Sequence, residues 1–140
     1  MIPYVVWRDF YAVGDPSLDA QHKQILATIN ELYEAMQEGK DRAALTCILD
    51  ALVQYTLVHF EHEEQLMQEH GYPDVAQHAT LHEKLRERTI DWRRRAHLAT
   101  GHDVLQFLKE WWVGHIQGVD KKYTPYLVGK GDIHLFTSAQ

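Results

Sequence analysis

HFEHEEQLMQEHGYPDVAQHATLH, residues 59–82, is the stretch around which the chain is organised. It holds two pairs of potential metal ligands at helical spacing, His59 with Glu63 and His78 with His82. Side chains four residues apart on an α-helix lie one turn above each other on the same face, so each pair can reach one ion or two adjacent ions. Between the pairs stands Gly71-Tyr72-Pro73-Asp74, a helix-breaking turn. The turn lets the second helix fold back on the first, and the pairs then face each other across a common core. Ligand pairs on facing helices are how bundles hold dinuclear metal sites.

The sequence on either side supplies the other two helices. Asp15-Pro16-Ser17 is a helix start, with Asp15 as cap and Pro16 in the first turn. The first helix runs to about Gln37 on a stripe of Ile25, Ile29, Leu32 and Met36 that also carries His22, and Gly39 ends it. A second helix from about Asp41 to His70 turns Leu45, Ile48, Leu52 and Tyr55 inward, and His59, Glu63 and Leu66 continue that stripe. The third starts near Asp74 and places His78, Leu81, His82, Leu85 and Trp92 on one side, with RERTIDWRRR as a solvated face and a break at Thr100-Gly101. The fourth begins near His102, carries Val104, Leu108, Trp111, His115, Ile116 and Val119, and closes at Pro125, Gly129 and Gly131. Residues 1–14 lack helical periodicity and read as an extended arm anchored by Val5, Trp7 and Phe10. No strand-like alternation interrupts this order. Four amphipathic helices with short connections predict an all-α, antiparallel up-down-up-down four-helix bundle over 15–128, with a short tail over 129–140, in a single domain.

The composition narrows the function classes. The net charge of −6, without a basic run, argues against nucleic acid and anionic membrane surfaces as partners. No apolar stretch is read as approaching the ~18–20 residues of a membrane span, and MIPYVVWRDF has no basic region of a signal peptide. Cys47 is the only cysteine, so no intramolecular disulfide forms, which fits a cytoplasmic location. The anomaly is histidine, present ten times in 140 residues.

Seven titratable residues project inward from the four helices: His22, His59, Glu63, His78, His82, His115 and Asp120. One histidine on an apolar face is an ordinary core residue. Seven such groups buried without compensation would cost several kcal/mol each, against a total stability of roughly 5–15 kcal/mol. A cation among them removes the conflict. The remaining histidines fall elsewhere: His70 lies about 16 Å along the axis from His59, His97 and His102 flank the last turn, His134 is in the tail, and His62 flanks the His59–Glu63 face.

These residues are also where the chain resembles the hemerythrin family in its single-domain bacterial form. The resemblance is carried by the aromatic arm with Trp7, DAQH ending at His22, HFEHEE, HATLH, and WWVGHIQGVDKKY around His115 and Asp120. It implies that His78, His82 and His115 bind one iron, that His22 and His59 bind the other, and that Glu63 and Asp120 bridge them beside an oxo or hydroxo group. Counting ligands toward six leaves one position open on the second iron for a small ligand. By resemblance the pocket beside it is lined by Ile25, Phe60, Trp111, Trp112 and Ile116, and Trp112 stands where the family commonly has leucine. The implied function is reversible dioxygen binding for storage, transport or delivery by a monomer that is not an enzyme, with an oxygen-consuming protein as a conceivable recipient. The alternatives are a di-iron peroxidase, an oxidase of nitric oxide, or an oxygen or iron sensor. The donor set favours the carrier, since five neutral imidazoles and two carboxylates leave the centre cationic, whereas oxidising di-iron enzymes use about four carboxylates.

One spacing does not fit a regular helix. His115 and Asp120 are five residues apart, which rotates them about 140° from each other on an α-helix. With Gly114 and Gly118 nearby, this predicts a π-type turn or an irregular end between Ile116 and Lys121.

Overall fold

Asp15 caps the first helix as its side chain predicts: its carboxylate accepts from the Leu18 backbone N–H at 3.0 Å, and Pro16 opens the helix. The computed structural model describes residues 4–127. Within them, α1 spans Pro16–Gln37, α2 Asp41–Glu69 and α3 Val75–Arg94. The fourth rod starts as α4, Gly101–Phe107, capped by the Thr100 hydroxyl. It continues through two π-helical stretches, Leu108–Val113 and His115–Val119, and a 3-10 turn at Asp120–Tyr123. A last short helix, α5, covers Thr124–Leu127. Gly39 and Gly71 end α1 and α2 with φ of 72° and 74°, the left-handed conformation that side chains disfavour. Short turns between long rods give the four-helix bundle, and no strand forms among the described residues. Pro125 sits inside α5 rather than ending the rod, at a first-turn position where it displaces no helical bond. The expected tail, with Gly129, Gly131 and His134, lies outside the described residues.

The core has two parts. One, including Ile25, Ile29, Leu49, Leu52, Phe60, Leu85, Leu108, Trp112 and Ile116, fills most of the bundle. A smaller one joins Val13, Leu18, Met67, Tyr72, Tyr123 and Leu127. Along three helices the polar residues fall between the two: His22 between Leu18 and Ile25, Glu63 between Phe60 and Met67, Asp120 between Ile116 and Tyr123. The cluster is therefore walled by apolar layers above and below.

Several expected positions shift. Phe10 is 61% exposed, because a 3-10 turn at Asp9–Tyr11 swings it outward beneath the Lys121 ammonium. The arm is held by Val5 and Trp7, which pack on the core as expected, by the buried Val13, and by Asn30, whose side chain accepts from the Val5 N–H at 2.9 Å and donates to its carbonyl at 2.7 Å. Leu81 is 38% exposed, since turning both His78 and His82 inward leaves it on the rim of α3. Met36, Tyr55, Leu66 and Trp92 are half-buried. The reading of membrane-span potential also needs correction. By length and composition α2 is apolar enough to cross a bilayer, with a mean hydropathy of 1.4 over 18 residues. Its inward stripe lies in the bundle core, while Leu57 and Val58 on its other side are exposed.

Candidate metal centre

The seven residues singled out above converge. All are buried, and His22, Glu63 and Asp120 are fully so. Glu63 occupies the middle. Its Oε2 lies 3.3 Å from His22 Nε2 and 3.4 Å from His59 Nε2, while its Oε1 lies 2.9 Å from both His78 Nε2 and His82 Nε2. Asp120 repeats the pattern from the fourth rod. Its Oδ2 is 3.1 Å from His22 Nε2, and its Oδ1 is 3.0 Å from His78 Nε2 and 2.9 Å from His115 Nε2. Each carboxylate thus offers one oxygen to each of two histidine groups. The donor atoms fall into two sets able to hold a metal ion: Glu63, His78, His82, His115 and Asp120, and His22, His59, Glu63 and Asp120.

Local structure explains how Asp120 joins. An α-helix would turn it away from His115, but π-helical bonding closes i→i+5 and so suits a five-residue spacing. The irregular segment falls across His115–Val119 and the following 3-10 turn, as the spacing predicts. The first π stretch, Leu108–Val113, has no counterpart in the sequence reading.

Close approach here is not ordinary hydrogen bonding. Both Asp120 oxygens and His82 Nε2 have no partner in hydrogen-bond geometry, although polar atoms stand about 3 Å away. His78 Nε2 and His115 Nε2 are 3.2 Å apart. Converging donor atoms of which only some align on one another, with both Asp120 oxygens and His82 Nε2 left over, fit a shared cation. The electrostatics agree. Burial pushes the His22 and His78 imidazoles down, but the Asp120 and Glu63 carboxylates about 3 Å away override it and raise them to about 10 and about 9. His82 is raised the same way, against burial, by Glu63 and Glu64. For His59 burial wins and lowers it. Against their own burial, Glu63 is held well below the usual carboxylate range by its four histidines, and Asp120 is lowered by His115 and His22. The cluster without metal keeps its carboxylates charged by holding protons on histidines.

Three neighbours were missed by the sequence reading. Tyr123, buried, donates its hydroxyl to Glu63 Oε2 at 2.7 Å. Gln21 Oε1 sits 2.6 Å from His59 Nδ1, and Glu64 Oε2 sits 2.7 Å from His82 Nδ1. A signal existed for two of them: a ligating histidine needs a partner on its second nitrogen, and Gln21 and Glu64 adjoin His22 and Glu63 in sequence. Among the pocket residues, Phe60 stacks on His82 at 3.9 Å between ring centres and on Trp112 at 5.6 Å. Ile25, Phe60, Trp112 and Ile116 are buried in one apolar cluster, and the Trp112 N–H donates to Thr89 Oγ1 at 3.1 Å. Trp111 is half-buried, packed against the same cluster and on Phe107, with the Arg88 guanidinium over its ring at 4.5 Å. His62 pairs with Ser17 at 2.9 Å instead of joining the cluster, and His70, His97 and His102 are exposed.

A four-helix bundle whose core holds a two-part histidine–carboxylate cluster has the donors to hold metal ions. The comparisons name the class more closely. The profile of the hemerythrin HHE cation-binding domain matches residues 13–127. A bacteriohemerythrin of Stenotrophomonas maltophilia is 37% identical over 123 residues, covering 85% of this chain and 78% of that protein. One of Methylococcus capsulatus is 38% identical over 112 residues, covering 78% and 85%. The crystal structure of a wild-type hemerythrin superposes with a TM-score of 0.78 at 33% identity, covering 90% of this chain and 99% of that one. The chain belongs to the hemerythrin family.

Proposed function

We propose that the seven clustered residues hold two iron ions and that the protein binds dioxygen reversibly, as a cytoplasmic monomeric carrier or store and not as an enzyme. The observation that carries this reading is the division of the donors into two sets that share Glu63 and Asp120. His78, His82 and His115 would hold one ion, and His22 and His59 the other, with each carboxylate spanning the pair. When bound, a bridged iron pair supplies reversible two-electron exchange with dioxygen.

The rest falls to the protein. Five imidazoles against two carboxylates give a donor shell short of negative charge, which favours arrest at reversible binding over further oxidation. The His22–His59 set has one protein donor fewer, so it is the side where a small ligand would be taken. Ile25, Phe60, Trp112 and Ile116 make the surroundings apolar and exclude water and protons. The one polar group of Trp112 is committed to Thr89, so it offers no donor to a bound ligand.

Anaerobic reconstitution with ferrous iron, followed by cycles of air and inert gas, tests the reading. Two irons per chain and a visible spectrum that appears and fades with oxygen are expected. One iron per chain would overturn the dinuclear site. Steady consumption of a reductant under air, with no persistent oxygenated spectrum, would assign the enzyme reading instead.

A further inference from the structure

We infer that Glu64, Gln21 and Tyr123 make the two metal positions unequal, so that the His78–His82–His115 position fills first and holds its ion more tightly. The inference rests on the dinuclear reading above, and it concerns residues that reading does not use.

Three contacts act in the same direction. The first is Glu64 on His82. A carboxylate oxygen 2.7 Å from Nδ1 draws on that N–H and makes Nε2 a stronger donor to a cation. The second is Gln21 on His59, in the corresponding place on the other side. Its amide oxygen is equally close at 2.6 Å but neutral, so it orients the ring without adding charge. The third is Tyr123. Its hydroxyl donates at 2.7 Å to Glu63 Oε2, the oxygen nearest His22 and His59. That bond occupies a lone pair and draws charge from this oxygen alone, while Oε1 faces only His78 and His82. One carboxylate therefore presents a stronger donor to the three-histidine side and a weaker one to the two-histidine side.

The consequence is order. The first ion meets three imidazoles, one of them backed by a carboxylate, and the undiminished oxygen of Glu63. The second meets two imidazoles, one backed by an amide, and an oxygen already shared with a phenol. Glu64 and Gln21 are both half-buried at the bundle surface, so either can be changed without opening the core. They are positioning residues, acting through His82 and His59.

Anaerobic titration of the full-length, metal-free protein with Co(II) decides the matter, read by calorimetry and by proton NMR of the paramagnetically shifted histidine ring N–H signals. Two resolved steps are expected, with three shifted ring signals after one equivalent and five after two. Glu64→Gln should weaken the first step by about tenfold, the scale of such partners, and spare the second. Gln21→Glu should strengthen the second step by a similar factor of about ten, and Tyr123→Phe should strengthen it too. If Tyr123→Phe fails to fold, the two surface variants carry the test. Two shifted signals after one equivalent, a single statistical step, or equal weakening of both steps by Glu64→Gln would overturn the inference. Final uptake of fewer than two Co(II) per chain would instead sink the dinuclear reading.

Discussion

Trp112 is the residue where this chain differs from the leucine its family resemblance leads one to expect, and its surroundings decide what the difference does. The indole is almost completely buried, shares a stack with Phe60 and His82, and has its N–H satisfied by Thr89. Its effect on the site is therefore volume and water exclusion. Trp112→Leu should enlarge the space beside the cluster, admit solvent and small anions, and speed autoxidation of the iron-loaded protein without abolishing oxygen uptake. It should also lower stability, by roughly 1–3 kcal/mol for a large-to-smaller change in a packed core. A lowered melting temperature with an unchanged autoxidation rate would reduce Trp112 to a packing residue. Asp120 invites a second substitution. It is the fourth rod's carboxylate and touches His22, His78 and His115. Asp120→Ala should lose the paired character of the site rather than one ion cleanly, and metal analysis together with magnetic coupling would show which. The i,i+4 pairs of α2 and α3 were legible from spacing alone, whereas Asp120 and Trp112 belong to no such pair and were reached through the family resemblance. For Trp111, spacing gives the face of the helix but not the partner, here the Arg88 guanidinium over the indole ring.

At the scale of the element, α1, α2 and α3 follow their sequence signals closely, since the Asp15 cap, Gly39 and Gly71 are local features with local effects. The fourth rod does not. The five-residue spacing of His115 and Asp120 announced one departure from α geometry, but the π stretch at Leu108–Val113 had no such marker. Gly114 separates the two stretches with ordinary right-handed φ and ψ of −59° and −39°, and a side chain there would meet only the Lys109 carbonyl, at 4.0 Å. Its glycine is thus not required by the backbone. Gly114→Ala should stabilise the protein by roughly 0.4–1 kcal/mol through the unfolded chain's lost freedom, with metal stoichiometry unchanged. Denaturant midpoints of the two proteins check it. A loss of stability would mean that a side chain at Gly114 strains the folded rod.

For the whole molecule, the cluster couples folding, protons and metal in one equilibrium. Without metal, His22, His78 and His82 are raised above their ordinary value of 6.5 by their carboxylate partners, the first two to about 10 and about 9. A group raised in the folded state contributes stability that is complete below its unfolded pKa and is lost as pH climbs through the folded one. These histidines therefore stabilise the metal-free bundle up to about pH 6.5 and progressively less toward pH 9–10. His59, lowered by burial, acts below that window: it costs stability as pH falls below 6.5 and leaves the alkaline decline unchanged. Glu63 and Asp120, both depressed, contribute above their ordinary values of 4.5 and 3.8 and fail as pH falls through the folded ones. Metal reverses the histidine side, because a ligating imidazole must give up its Nε2 proton and the ion replaces the stabilising charge. Loading should accordingly release protons, and the loaded protein should not share the alkaline decline. The gap in melting temperature between loaded and metal-free protein should widen from pH 6.5 to pH 9. Thermal melts across that range, with and without a chelator, measure it. A constant gap would mean that the metal-free cluster relaxes and sheds its protons, which would take the histidine–carboxylate contacts described above with it.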